Sequence, residues 1–450
     1  MYHMRFATLT TITLTLVSSA FAADWPRWLG EQGDSTWREN RVISDIPVGG
    51  LKTKWEAKLG LGYSGPAVAN GKVYVMDYLR ESGDIANNAG APDQLSGTER
   101  VLCLDEKTGE LIWEHAYQRD YMVSYGSGPR STPNVSEGKT YALGAEGDLL
   151  CLDANSGKVI WSKRFSEDYG AQTPMWGHAA HPLVYNDMLI SIVGGEGSVV
   201  VAFDKDTGEE KWKALSASSQ GYCPPSIITH NEVEQLIIWH AEAVNGLNPN
   251  TGELYWSQPL RPNWGGSIQV PRKRGARLFV GGPSVASLFQ LENQSGSPSA
   301  RQLWKGNSRS AVYPVNSSVI FTQEAIYSVD SGTSALTAVS IENGERLWET
   351  TEPVLADPNQ RGRHGTAFPV RYKNTDTYYI LNENGELIIA ELTPKEYSEK
   401  GRTQVIEPSN TTNAGGTRSV VWSHPAFANR TLYVRNDNKL VAVDLDASSY

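Results

Sequence analysis

Three observations predict an all-β fold, an eight-bladed β-propeller of four-stranded antiparallel blades. A strand–turn–strand unit recurs along the chain, tryptophans mark its period, and an orphan half-unit near the start matches one missing at the end. The unit first occurs at residues 101–113, VLCLDEKTGELIW, and returns at 149–161 (LLCLDANSGKVIW), 200–212 (VVAFDKDTGEEKW), 244–256 (VNGLNPNTGELYW) and 336–348 (LTAVSIENGERLW). Trp55, Trp113, Trp161, Trp212, Trp256, Trp304 and Trp348 stand 44–58 residues apart, a period that suits four-stranded blades.

In chain order, residues 1–22 combine a charged start at Arg5, a short apolar run and an Ala20-Phe21-Ala22 ending, the three-part pattern of a secretory signal peptide. No cysteine stands directly after that cleavage site, so no lipid anchor is expected. No apolar run reaches the ~20 residues of a spanning helix, so no transmembrane segment is expected either. The expected location is periplasmic or secreted. Residues 24–40 carry Trp25, Trp28 and Trp37, too much aromatic surface for a free tail, and should dock on the body. The expected organisation is therefore a signal peptide at 1–22, a docking segment at 23–50 and the propeller at 51–450.

Each repeat opens on a short segment ending in proline, such as Gly65-Pro66, Thr132-Pro133 or His181-Pro182, and continues into a β-branched strand. The strands read as nearly continuous apolar runs because neighbouring blades cover both faces. In each turn a glycine supplies the positive φ, and the preceding Asp or Asn bonds the turn backbone. Asp105, Asp153 and Asp204 are accordingly expected to be structural. The fifth repeat, 266–304, is the least regular, and the seventh, 366–406, replaces the Gly–Trp turn with Thr393-Pro-Lys-Glu-Tyr397. The eighth, 423–445, stops where its outer strand should begin. Residues 51–59, LKTKWEAKL, resemble the second half of a unit and can supply that strand. Closing the ring this way removes the exposed edges of a linear stack.

Lys plus Arg number 40 against 50 for Asp plus Glu, a formal net charge of −10, which disfavours a nucleic-acid or anionic-membrane partner. Cys103, Cys151 and Cys223 are expected to be small buried hydrophobes rather than a disulfide or metal set.

In a propeller the connections into the innermost strands and those between second and third strands share one face. The residues there differ from blade to blade. Ligand-binding candidates are Tyr63, Tyr125, Arg130, Trp176, His178, His181 and Tyr222 in the first half, and His240, Glu242, Trp264, Arg363, His364, Trp422 and His424 in the second; Asp77, Tyr78, Arg309 and Arg418 belong to the same face. Tryptophan and tyrosine faces suit a sugar-like or planar ligand, and the histidines suit acid–base or metal chemistry. No metal set is assigned, and no HxxxH, Cys–His cluster or Gly-x-Ser-x-Gly element is present. Residues 79–100, the second-to-third connection of the first blade, are much longer than their counterparts and should form a loop over this face.

The repeat [VL]-x-[CA]-[LF]-Asp-x-x-[TS]-Gly-x-x-x-Trp, together with Asp24-Trp-Pro-Arg-Trp28, Gly62-Tyr-Ser-Gly-Pro-Ala-Val68 and Val421-Trp-Ser-His-Pro-Ala-Phe427, resembles exported quinoprotein-like proteins built on the pyrroloquinoline-quinone repeat. Two relatives within that resemblance imply different activities. Quinoprotein alcohol dehydrogenases imply pyrroloquinoline quinone and calcium in the channel, usually beneath a disulfide between adjacent cysteines. This chain has no adjacent cysteines, and their calcium ligands match no position. The outer-membrane assembly lipoprotein implies a cofactor-free ring that holds partners, although its lipid-attachment cysteine is missing here. The leading expectation is an exported propeller binding a ligand or partner, namely a small molecule, a glycan or an envelope protein, on its looped face without clear catalytic apparatus. The alternatives are a quinone-dependent alcohol or sugar oxidoreductase and a carbohydrate-cleaving enzyme.

Overall fold

The computed structural model describes residues 23–294, 296–355, 357, 362–411 and 418–450. The expected signal peptide lies outside the described residues. Eight four-stranded antiparallel blades follow one another along the chain. Blade 1 comprises Ala67–Ala69, Lys72–Ser82, Asp93–Asp105 and Leu111–Gln118. The innermost strands of the next six blades start at Asn134, Leu183, Ser226, Arg272, Ile320 and Ala367.

The eighth blade joins both ends of the chain. Thr53–Lys58 lies antiparallel to Lys439–Asp444, with Trp55 opposite Ala442 and Glu56 opposite Val441. The orphan half-unit therefore fills the position expected of it.

The repeated motif explains how the blades hold together. Asp105 Oδ1 accepts from the N–H groups of Lys107 and Thr108, both at 2.9 Å, which shapes a turn that Gly109 completes at φ +73°. Onto that turn packs the tryptophan of the preceding blade. Trp55 donates its indole N–H to the Glu106 carbonyl at 2.8 Å, and a Cβ at Gly109 would stand 2.5 Å from its ring. Trp113 and Trp161 repeat this contact on the turns of the next two blades, donating to Ala154 and Lys205 carbonyls. Trp55 closes the ring because it applies the same lock between blade 8 and blade 1. The fifth blade lacks the turn signature, and Trp256 before it bonds Gln235 of its own blade instead, at 2.7 Å.

A second lock spans the same seam. Arg435 is fully buried, donating to the Met76 carbonyl of blade 1 and the Gly60 carbonyl at 2.7 Å each, and to Asn436 O at 3.1 Å.

All three cysteines are buried and unbridged. Burial pushes the thiols of Cys103 and Cys151 up to about 12.

The docking segment lies along the inner edges of the blades, within the channel. Trp25 and Val68 exchange backbone bonds at 2.9 Å, and Pro26 accepts from Val135 N–H at 2.8 Å. Thr36–Trp37 then adds a parallel strand to the innermost strand of blade 7, Thr36 opposite Arg371 and Trp37 opposite Tyr372. Trp25 and Trp37 are buried at 3% and 1% exposure, so the segment is core rather than appendage.

One expectation needs correction. Residues 79–100 are mostly strand, because Lys72–Ser82 and Asp93–Asp105 run past the blade as a hairpin arm with Leu79 opposite Thr98. Only 83–92 remains as its tip. The arm's buried face alternates Asp93, Leu95, Gly97 and Glu99, and Tyr121–Val123 pairs along it as a further strand. Two charges on that face disguise the alternation. Glu99 is fully buried, accepting from Tyr117 and Tyr121 hydroxyls at 2.5 Å and Ala145 N–H at 3.0 Å. Burial raises its pKa despite these bonds.

Candidate functional site

The eight connections that lead into the innermost strands converge on one cavity of about 730 Å³ at the looped end of the channel. Tyr63 enters from blade 1, Tyr125 and Arg130 from blade 2, Trp176 and His181 from blade 3, and Tyr222 from blade 4. Trp264, Asn316, His364 and the pair Trp422 and His424 come from the remaining blades, with Arg363 beside His364. The arm tip adds Ala89 and Gly90 to the rim. It is tied down across the face, Asn87 Nδ2 donating to Asn410 Oδ1 at 3.0 Å and to Thr411 Oγ1 at 2.9 Å. Trp176 Nε1 reaches the Ala89 carbonyl at 3.3 Å.

Aromatic rings dominate the walls. Trp176 and Tyr222 stand 5.2 Å apart at 38°. Opposite them Trp422 is 5.5 Å from Tyr125 and 6.3 Å from Tyr63. Tyr63 accepts from Asn410 Nδ2 at 2.8 Å, and the Arg130 guanidinium sits over its ring at 5.3 Å. Burial raises the Tyr63 and Tyr222 phenols to about 12, so both stay neutral donors at physiological pH. Trp264 projects at the mouth, 69% exposed.

Three lining residues hold left-handed backbone: Tyr125 at φ +54°, Trp264 at +57° and His364 at +57°. Such conformations cost a non-glycine residue on the order of 1–3 kcal/mol and persist where surroundings impose them. Around Tyr125 the imposing group is Arg130, whose guanidinium donates to the carbonyls of Ser124, Tyr125 and Gly128. At His364 the N–H is held by Ser331 O at 2.8 Å.

Trp28 forms the floor. Its ring stacks on His181 at 4.4 Å and 16° and meets His424 edge-on at 5.3 Å. Trp28 and His181 line both this cavity and a second one on the far side, so the pair partitions the channel. His181 Nδ1 accepts from Thr132 N–H at 2.8 Å, which leaves the proton of the neutral ring on Nε2. Burial lowers both imidazoles, His181 well below its ordinary 6.5 and His424 to about 3. Neither carries charge near neutrality. The buried indole N–H groups of Trp28 and Trp422 have no acceptor among the described residues.

Of the fourteen sequence candidates, eleven line this cavity. His178, His240 and Glu242 do not. His178 is 4% exposed and packs edge-on against Phe165 at 5.2 Å. His240 Nδ1 accepts from Glu242 N–H at 3.2 Å, and the Glu242 carboxylate accepts from Ser218 N–H at 3.2 Å, away from the lining. Asp77 is buried on Arg100 at 2.7 Å, and Arg418 pairs with buried Glu383 at 3.1 Å behind His364. Trp28 is not among those candidates; its sequence signals are the tryptophan density of 24–40 and its place in Asp24-Trp-Pro-Arg-Trp28.

Calcium takes about six to eight oxygen ligands, carboxylates foremost. No Asp or Glu among the described residues lines the cavity, and no cluster of three or more His, Cys, Asp or Glu among them could hold a metal. The lining therefore does not fit the quinone–calcium pair that the resemblance implied. No helix among the described residues is long and apolar enough to cross a membrane.

The family model described as outer membrane protein assembly factor BamB matches residues 97–231 and 240–449. Among solved structures, BamB from Moraxella catarrhalis is 13% identical with a TM-score of 0.54, covering 88% of this chain and 97% of that one. The computationally designed Ika8 protein is 12% identical with a TM-score of 0.50, covering 86% and 98%. A europium-containing methanol dehydrogenase is 13% identical with a TM-score of 0.49, covering 81% and 89%. No curated protein sequence matches the chain. At such identities the likeness to solved structures shows the fold alone.

Proposed function

The chain belongs to the family described as outer membrane protein assembly factor BamB, and from that premise we propose that it is an exported binding propeller whose looped-face cup takes a neutral or acidic ring-shaped ligand, a glycan unit above all. The observation that carries this reading is the convergence of Tyr63, Tyr125, Trp176, Tyr222, Trp264 and Trp422 on one cavity whose described lining holds no carboxylate. Aromatic faces stack on sugar rings and planar groups with little side-chain entropy to lose. Arg363 gives the rim its positive charge, which excludes cationic ligands and favours uronic or otherwise acidic rings.

Binding of an envelope protein on the same face is the second reading, and the family match favours it. Trp264, exposed at the mouth, would then be the anchor, as aromatic residues are in protein interfaces.

A glycan and aromatic-acid array probed with the mature chain separates the two. The ligand reading expects a discrete set of binders whose signal Trp176→Ala lowers at least tenfold. An array without binders, beside stable capture of an envelope protein that Trp264→Ala abolishes, would install the second reading. The catalytic alternatives have their own assays. New reducing ends or unsaturated products from a polysaccharide panel, lost in His181→Ala or His424→Ala, would make the chain a carbohydrate-cleaving enzyme. Dye reduction with alcohols or sugars in the presence of quinone and calcium would make it an oxidoreductase.

A further inference from the structure

The far mouth of the channel reverses the charge of the protein as a whole. A cavity of about 630 Å³ lies between the later residues of the innermost strands and the docking segment. Six cationic residues line it, Arg27, Arg38, Arg272, Lys273, Arg274 and Arg371, against one acid, Asp34, in a chain of net charge −10. Arg38 already holds the Asp34 carboxylate.

Arg27 and Arg272 are fixed by carbonyls instead of carboxylates. Arg27 donates from Nε and Nη2 to Glu31 O at 3.2 and 3.1 Å. Arg272 donates from Nε to Val319 O at 3.0 Å and from Nη1 to Gly33 O at 2.7 Å. Arg27 Nη1 and Arg272 Nη2 have no acceptor among the described residues. Burial pushes Arg272 down to about 10, Asp34 opposes this, and the like charge of Arg27 adds to it. Burial alone lowers Lys273. Arg371 pairs with Asp376 at 3.8 Å, so the uncompensated charges are Arg27, Arg272, Lys273 and Arg274, which have no carboxylate within ion-pair distance among the described residues. Like charges gathered in a partly desolvated cavity repel until an anion enters.

We propose that this mouth is an anion site for a compact, multiply charged phosphate or sulfate oxyanion. Guanidinium forks match tetrahedral oxyanions with paired, charge-assisted bonds, and donors already pinned by carbonyls lose little freedom on binding. The partition by Trp28 and His181 makes the site independent of the aromatic cup and of its ligand.

The test is calorimetric titration of residues 23–450 at low salt, with inorganic pyrophosphate in one arm and inorganic sulfate in the other. Saturable one-site binding is expected in at least one arm, and the arm that binds identifies the oxyanion. Affinity should fall at least tenfold in the Lys273→Gln/Arg274→Gln double variant, vanish in Arg272→Gln and stay unchanged in Trp176→Ala. Should Arg272→Gln fail to fold, the double variant, whose side chains anchor no carbonyl, decides. No binding of either probe at millimolar concentration, or affinity unchanged in the double variant, overturns the proposal.

Discussion

Replacing Trp55 with alanine removes the lock between the last blade and the first. The ring is 92% buried and sits on the Gly109 turn, with its N–H on the Glu106 carbonyl at 2.8 Å. Truncating a buried tryptophan costs about 3–5 kcal/mol, and the lost bond to the Glu106 carbonyl accounts for about 1 kcal/mol of that. The expected result is a loss of about 4 kcal/mol in equilibrium urea unfolding. Trp113→Ala removes equivalent contacts at the next junction, at the same 8% exposure, and should cost a similar amount globally. What distinguishes the two is locality. Trp113 lies on a strand continuous in sequence with its blade, whereas Thr53–Lys58 is held to its blade only through pairing with Lys439–Asp444. Hydrogen exchange in both of these strands should therefore accelerate more than in the rest of the chain in Trp55→Ala, and no more than in the rest of the chain in Trp113→Ala. A loss under about 1 kcal/mol, or unchanged exchange at the seam, would refute the claim that this tryptophan closes the ring.

Other outcomes follow from the same contacts. Arg435→Met strips the Met76 and Gly60 carbonyls of their donors and should cost about 2–4 kcal/mol by urea unfolding, since each buried polar group left unpaired costs about 1–3. His424 is held neutral at about 3 when folded, while the unfolded chain takes up its proton below about 6.5. Its contribution is therefore present above pH 6.5 and lost as pH falls. The stability difference between native chain and His424→Asn should shrink by about 1.4 kcal/mol per pH unit between about pH 6 and pH 4, read from urea unfolding at each pH. Trp264→Gly relieves a left-handed φ of +57° on a residue 69% exposed. It should raise stability by up to about 1 kcal/mol in thermal scans while weakening ligand capture at the looped face.

The sequence made the wheel legible because its locks are local and repeated. Asp105, Gly109 and Trp113 recur with their spacing, and each instance says what its neighbour needs, so even the missing outer strand of blade 8 could be sought at 51–59 and found at Thr53–Lys58. The channel contents were hidden for the opposite reason. Thr36–Trp37 joins the open inner edge of blade 7 over two residues only, too short for any periodicity, and the resulting place of Trp28 under His181 depends on contacts far apart in sequence. Residues 79–100 read as loop in the sequence because the buried face of the arm carries Asp93 and Glu99. The N–H groups of Gly126, Ala86 and Ala145, and two tyrosine hydroxyls, make those carboxylates tolerable there. His178 and His181 show the same limit at closer range. Both precede one blade, yet one packs on Phe165 and the other faces the cup, a choice made by side-chain packing that a linear pattern does not encode.

A co-crystal structure of residues 23–450 with the strongest ligand from the array shows where the ring sits. The ring is expected within about 4.5 Å of Trp176 and Tyr222, above Trp28 and clear of every carboxylate. A ligand bound along the outer blade edges, with the aromatic cup holding only solvent, would contradict it.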